Sequence, residues 1–90
     1  MNDFEKNNKM KIFMQIENIL TVDMGFYCQN LSTDFRFKED MGMDSLDLVE
    51  LTVLTEKWFN IEIEDEEAIK VNTISDIIQL VKQKTPMNGI

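Results

Sequence analysis

One serine in the middle of this chain has the setting of a reactive hydroxyl. Ser45 lies in the run G-M-D-S-L-D at residues 42–47, where a glycine-containing loop leads into an apolar helical pattern. A serine there is exposed, and its hydroxyl is free for chemistry. The same spacing also suits a helix cap, because Asp44 and Asp47 occupy the N-cap and N3 positions, where acidic side chains favour the positive end of the helix dipole. The local residues leave capping and chemistry both open.

The chain supplies no internal partner that would turn Ser45 into a nucleophile. It contains no histidine, so a Ser-His-Asp arrangement cannot be built. With Cys28 as its one cysteine it forms neither an internal disulfide nor a Cys/His zinc site, and we expect Cys28 to be a small, partly buried hydrophobe. The acidic run at residues 62–67 lacks the alternating ligands and glycine of a calcium loop. The sequence predicts no catalytic residue and no metal site.

The charge of the chain is concentrated next to Ser45. Residues 39–67 hold eleven acidic residues and one basic residue, a net charge of −10, whereas the remainder holds six acids and eight bases, a net of +2. Such a field repels nucleic acid and anionic lipid and attracts basic protein surfaces. The charge predicts protein partners with basic surfaces, although an acidic face that only maintains solubility would have the same composition.

Hydrophobic periodicity predicts a single all-α domain, and its first helix is expected over residues 9–24. Gly25 then supplies the left-handed residue that ends this helix. The apolar positions that line one face are Ile12, Ile16, Ile19, Leu20 and Met24. A long ordered loop follows over residues 26–43, and a loop of this length needs apolar anchors. The candidate anchors are Leu31, Phe35, Phe37 and Met41.

The second helix, predicted over residues 45–59, carries two apolar stripes. A broad arc faces the core, and a narrower stripe is bordered by acidic residues. The core arc comprises Leu48, Leu51, Leu54, Trp58 and Phe59, and the narrow stripe comprises Leu46, Val49 and Val53. One helix of so small a domain cannot easily bury both. The narrow stripe is either covered by the following segment or left as a docking surface.

Two further helices complete the predicted domain. Ile61 and Ile63 alternate with polar residues in a brief extended linker, and a short helix follows over residues 65–70 with its acids at the start. The last helix begins after Asn72 or Thr73, and Asp76 completes a capping-box-like arrangement from Thr73. It ends before Pro86 and buries Ile74, Ile77, Ile78 and Val81.

The limits of the domain and its location are expectations of the same kind. Residues 9–84 are predicted to form the folded core, with residues 1–8 and 85–90 as flexible tails. No apolar run approaches the ~20 residues of a membrane span, and the N-terminus lacks the apolar stretch of a signal peptide. We expect a cytoplasmic monomer without membrane insertion.

Two segments make the sequence resemble the acyl carrier proteins. The run D-M-G-M-D-S-L-D-L-V-E-L at residues 40–51 looks like the attachment signature of that family, and I-E-I-E-D-E-E-A at residues 61–68 looks like its acidic third-helix region. The similarity covers residues 11–84. It implies a four-helix bundle of acyl-carrier type, with three longer helices, a short third helix and a long loop between the first two.

The resemblance implies a chemistry for Ser45. A phosphopantetheinyl transferase would join its oxygen to the phosphate of 4′-phosphopantetheine from coenzyme A, with Asp44 and Leu46 beside the cofactor. The thiol of the arm would then hold acyl groups as thioesters for fatty acid or polyketide-type synthesis. The chain itself would be a non-catalytic carrier and a substrate of other enzymes.

The resemblance also implies two surfaces. Basic surfaces of the transferase, synthases, reductases and acyltransferases would meet a docking face on the second helix. That face comprises Asp44, Leu46, Asp47, Val49, Glu50, Val53 and Glu56. A pocket for a short acyl chain would be lined by Leu51, Val53, Phe59, Ile63, Ala68 and Val71. For Leu51 and Phe59, the residues themselves favour plain core.

Three features depart from the pattern of the family, and one of them is an unusually aromatic first loop with Phe26, Tyr27 and Phe35. Thr55 stands in the core arc where the family usually has an aliphatic residue, and its hydroxyl can bond the Leu51 carbonyl one turn back. Glu64 stands where the family often has proline, which leaves the linker less rigid. None of the three touches the attachment site. The alternative function is an unmodified acidic adaptor, in which Asp44 and Ser45 only cap the second helix.

Overall fold

Four α-helices form the part of the chain that the structure describes. The structure is a computed structural model, which describes the backbone of residues 3–85 and the side chains of residues 9–85. The helices are α1 (Asp3–Asn18), α2 (Ser45–Phe59), α3 (Asp65–Ala68) and α4 (Ile74–Lys84). Within residues 3–85 no strand forms, and the predicted all-α class is confirmed. None of the described helices has the length and apolar character needed to cross a membrane.

The first helix differs from its prediction at both ends. It begins at Asp3 rather than Lys9, because extending a formed helix is easier than nucleating one and needs no apolar period. Its last turn widens into a π-helical segment at Ile19–Asp23, the π turn, where the Thr21 hydroxyl donates to the Glu17 carbonyl at 2.9 Å. The predicted tail residues 1, 2 and 86–90 lie outside the described residues.

Gly25 ends this segment as predicted. Its φ of +80° lies in the left-handed region that favours glycine. The amides of Gly25 and Phe26 donate to the carbonyls of Thr21 and Leu20 at 3.1 and 2.7 Å, which satisfies acceptors at the end of the π turn.

The centre of the core lies where α1 and the π turn pack against α4. The predicted aliphatic side chains of both elements are buried, with Met24 half-buried and Leu80 as an unpredicted addition. These buried side chains are Ile12, Ile16, Ile19, Leu20, Ile74, Ile77, Ile78, Leu80 and Val81. Burial of such side chains supplies most of the driving force for folding of a small domain.

The long loop is ordered by contacts with the start of α4. Phe37 is fully buried, and the other three predicted anchors are half-buried against the core. The Phe37 amide donates to the Asn72 carbonyl at 2.9 Å, and the Ile74 amide donates to the Phe35 carbonyl at 3.2 Å. These bonds join two segments of backbone that the sequence pattern did not pair.

A turn inside the loop is closed by one ion pair. Asp40 accepts from the backbone amide of Arg36 at 2.8 Å and from its guanidinium Nε at 3.2 Å. The hydrogen bond from the guanidinium lowers the pKa of the Asp40 carboxyl. The Met43 amide then donates to the Phe37 carbonyl at 3.0 Å, so the end of the loop is held to its buried anchor.

The second helix has the predicted bounds. For one residue of its predicted core arc, Trp58, the predicted burial is wrong. Leu51 is buried and its aliphatic neighbours in the arc are half-buried, but the Trp58 side chain is 53% exposed. Its indole Nε1 donates to the Asp23 carboxylate at 3.2 Å, and an amphipathic ring with one N–H donor is suited to such an edge position. Thr55 is fully buried and donates to the Leu51 carbonyl at 2.7 Å, as predicted.

The linker and the last two helices follow their predictions closely. The linker is extended, and the Ile63 amide donates to the Glu56 carboxylate at 2.8 Å. Helix α3 is shorter than predicted: it ends at Ala68 rather than Lys70. Thr73 and Asp76 form the predicted capping box of α4, with exchanged bonds of 3.0 and 3.1 Å.

Candidate functional site

The start of α2 presents Ser45 at the surface. Gly42 has a φ of +74°, which lets the chain turn, and Met43 is buried just before the helix. Asp44 is the N-cap: its carboxylate accepts from the Asp47 amide at 2.9 Å, and its own amide donates to the Asp47 carboxylate at 3.0 Å. The capping role of both acids is therefore present, and it leaves the Ser45 side chain exposed.

No base activates this serine. Among residues 9–85, no side chain or carbonyl forms a hydrogen bond with Ser45 Oγ, and histidine is absent from the whole chain. Asp44 and Asp47 are nearest along the chain, but their carboxylates are engaged with backbone amides. Among the described residues, the Ser45 hydroxyl is therefore exposed and not hydrogen-bonded to a general base.

A groove of about 230 Å³ lies beside Ser45. Its α2 wall consists of Ser45, Leu48, Val49 and Thr52. The opposite wall is formed by Ala68, Ile69 and Val71, at the end of α3 and in the turn that follows it. Lys38 and Asn72 complete the lining. The groove is thus part aliphatic and part polar.

The predicted acyl-pocket residues fall in different places. Ala68 and Val71 line the groove, whereas Leu51 and Ile63 are buried in the core and Phe59 is half-buried against it. Val53 is 42% exposed. Lys38 and Thr52 also line the groove, and the sequence did not predict them. Helical periodicity does not determine how α2 and α3 are placed relative to one another.

The narrow stripe of α2 is exposed. Leu46 and Val49 are 78% and 59% exposed, so the following segment does not cover the stripe. Asp44 and Glu50 are exposed beside it, and Asp47 is half-buried.

Two features modify this face of the molecule. Glu56 is half-buried and its carboxylate holds the linker amide of Ile63, a bond that the sequence did not indicate. Ile69, on the opposite wall of the groove, is 82% exposed and adds apolar surface near Val49. Exposed aliphatic side chains among acids are a feature of protein docking surfaces.

Comparison with known proteins identifies the family of this chain. A family model described as "Phosphopantetheine attachment site" matches residues 12–81. An acyl carrier protein from Wolinella succinogenes is 38% identical over 73 residues, which make up 81% of this chain and 96% of that protein. The chain belongs to the acyl carrier protein family.

Further relatives agree with this assignment. An acyl carrier protein from Clostridium acetobutylicum is 35% identical over 74 residues, 82% of this carrier and 96% of that protein. The crystal structure of an acyl carrier protein from Thermotoga maritima matches with a TM-score of 0.79 at 31% identity, over 86% of this carrier and 89% of that chain. The predicted family and its four-helix fold are confirmed.

The cofactor of this carrier is covalently bound 4′-phosphopantetheine. Its thiol supplies the thioester chemistry when the group is bound. The described residues fit such a group, because an exposed serine and the basic residue Lys38 line the same groove. The N-terminus of α2 favours the negative charge of a phosphodiester.

Proposed function

We propose that Ser45 is the attachment residue of this carrier. Ser45 Oγ attacks the phosphorus of coenzyme A that bears the pantetheine, in a reaction catalysed by a phosphopantetheinyl transferase. An oxygen–phosphorus bond forms to Ser45, the serine proton leaves, and the pyrophosphate bond breaks to release the adenosine bisphosphate half. The observation that carries the proposal is an exposed serine that lines the groove and is hydrogen-bonded to no base among the described residues.

Asp44 and Leu46 flank the attachment point. Asp44 holds the first turn of α2 in the geometry that exposes Ser45, and Leu46 stands free on the surface for the transferase. The transferase must supply the base, because no described side chain is placed to accept the Ser45 proton. The carrier acts as a substrate here, and its own residues present the hydroxyl without activating it.

The exposed face of α2 is the proposed docking surface. Leu46, Val49 and Val53 form its apolar stripe, and Asp44, Asp47, Glu50 and Glu56 provide its acids. Partners with basic surfaces, namely the transferase, synthases, reductases and acyltransferases, are attracted by the charge of −10 on residues 39–67. Exposed ion pairs are weak individually, which allows a carrier to bind and leave quickly.

The cargo is an acyl group bound as a thioester and delivered to fatty acid or polyketide-type biosynthetic enzymes, by a monomeric carrier in the cytoplasm. Ala68 and Val71 already line the groove that could shelter a short chain. Leu51, Phe59 and Ile63 pack in or against the core, and Val53 lies at the surface, so these four do not line the groove.

Intact mass after co-expression with a broad-specificity transferase and coenzyme A tests the attachment. The expected result is the addition of one phosphopantetheinyl group, lost in Ser45→Ala and retained in Ser75→Ala, a serine on α4. Raising the salt concentration is expected to slow the modification. An unchanged mass of the wild-type chain would favour an unmodified acidic adaptor and reject the carrier function.

A further inference from the structure

The groove beside Ser45 is more polar than a chain-sheltering pocket requires. Besides Ser45, three of its lining residues carry polar side chains: Lys38, Thr52 and Asn72. The Thr52 hydroxyl donates to the Val49 carbonyl at 2.8 Å, so it is engaged within α2. Lys38 is exposed, and its ammonium forms no ion pair within 4.0 Å among the described residues.

Lys38 is a cation in an acidic neighbourhood. It directly precedes the segment of residues 39–67, in which the one base is Lys57. Lys57 lies in the last turn of α2, about 18 Å along the helix from Ser45 at 1.5 Å per residue. Among the groove-lining residues, Lys38 therefore carries the one positive charge.

An anion on Ser45 would enter a field of like charge. Asp44 directly precedes Ser45, Asp47 lies two residues after it, and Glu50 is exposed on the same helix. A nearby ammonium offsets such repulsion, and its attraction acts over a few ångströms in a partly screened groove. Lys38 lines the same groove as Ser45, and its ammonium can supply this attraction.

We infer that Lys38 binds an anionic group carried on the arm attached to Ser45. The inference rests on the proposed attachment at Ser45. The shared chemistry is a phosphate or carboxylate oxygen paired with the Lys38 ammonium, and it has two possible sources. One is the phosphodiester that joins the arm to Ser45, and the other is a carboxylate at the far end of a short cargo.

The experiment compares modified and unmodified forms of each variant. Wild type, Lys38→Met, Lys38→Arg and the control Lys57→Met are prepared unmodified, with the bare arm, and with butyryl or succinyl groups loaded from the corresponding coenzyme A thioesters. Thermal midpoints are measured at low and high salt, and the phosphodiester is observed by phosphorus NMR. For each variant, the thermal midpoint of the unmodified form is subtracted from that of the modified form. This difference cancels the effect of the substitution itself on folding.

A phosphodiester contact predicts a change with the bare arm. At low salt, the difference in thermal midpoint between the modified and unmodified forms should be about 1–4 °C smaller in Lys38→Met than in wild type. The phosphorus resonance of the modified form should also shift. Lys38→Arg and Lys57→Met should resemble wild type, and high salt should remove the difference. A carboxylate contact predicts instead that Lys38→Met changes only the succinyl-loaded form.

The result that overturns the inference is equal behaviour of Lys38→Met and wild type in all loaded forms. Intact mass separates this outcome from failure of the proposed function. If the mass shows no modification of Ser45, both proposals are rejected. If Ser45 is modified normally and Lys38→Met has no effect, the role of Lys38 alone is rejected.

Discussion

The two sides of this carrier use similar aliphatic residues in opposite ways. Between α1 and α4, isoleucine, leucine and valine side chains are buried. On α2 and at the end of α3, Leu46, Val49 and Ile69 are more than half exposed, and acids surround them. The comparison shows that one side is buried in the core, while the other is the docking surface proposed above. Substitutions on the two sides should therefore separate stability from modification.

The largest expected effect is on stability, from truncation on the packed side. Ile77→Ala should lower the free energy of unfolding by about 2–5 kcal/mol, because Ile77 is fully buried on α4. Val49→Ala on the exposed face should change it by no more than about 0.5 kcal/mol, yet slow modification by the transferase. Urea unfolding and the rate of mass increase measure both quantities. Equal destabilisation by the two substitutions would contradict the division.

The next effect compares two glycines with positive φ. Gly25 ends the π turn on the packed side, and Gly42 precedes α2, and a Cβ at either would meet no neighbouring atom. Alanine at each position should therefore cost about 1–2 kcal/mol through backbone strain alone. We expect only Gly42→Ala to slow modification, because that turn positions Ser45. If both variants are folded and Gly42→Ala is modified as fast as Gly25→Ala and wild type, the turn at Gly42 is not needed to position Ser45.

The smallest effect concerns an ion pair that joins α3 to α4. Glu67 accepts from Lys84 Nζ at 2.7 Å and from the Glu64 amide at 2.9 Å, and these bonds lower the pKa of Glu67 from its ordinary value of 4.5. Its contribution to stability is therefore present above that ordinary value and is lost as pH falls through the lowered pKa. Thermal midpoints between pH 3 and pH 7, roughly the range over which carboxyls titrate, should fall more steeply in wild type than in Lys84→Met.

Lys82→Met serves as the matched control for this pair, since Lys82 lies on the same turn of α4. It should keep the pH profile of wild type. Identical profiles for Lys84→Met and wild type would mean that the ion pair contributes nothing measurable, as is common for exposed pairs.

Local features of the fold were predictable from sequence. The bounds of α2, the Thr73–Asp76 capping box and the buried face of α4 depend on neighbours within one or two turns. Such spacing is written directly in the chain. The early start of α1 was missed because residues 3–8 carry no apolar period.

Features that depend on contacts between distant segments were not predictable. Trp58 was assigned to the core by its angle on α2, but its position depends on Asp23 in the π turn. Part of the groove lining was missed for the same reason, because Lys38 and Thr52 line one space only when the loop, α2 and α3 assemble. In the candidate site, the capping acids and exposed serine were evident from sequence, whereas the shape and charge of the space beside them were not.

The pairing of the long loop with α4 has a consequence for the order of events during synthesis. Met43 is held to Phe37, and Phe37 is held to Asn72, so the turn before Ser45 depends on residues much later in the chain. A nascent chain that has emerged only as far as α2 lacks these partners. We expect ribosome-bound chains to be poor transferase substrates until α4 has left the exit tunnel, which stalled chains of graded length would reveal. Only a chain that has been synthesised beyond α4 would then receive its arm.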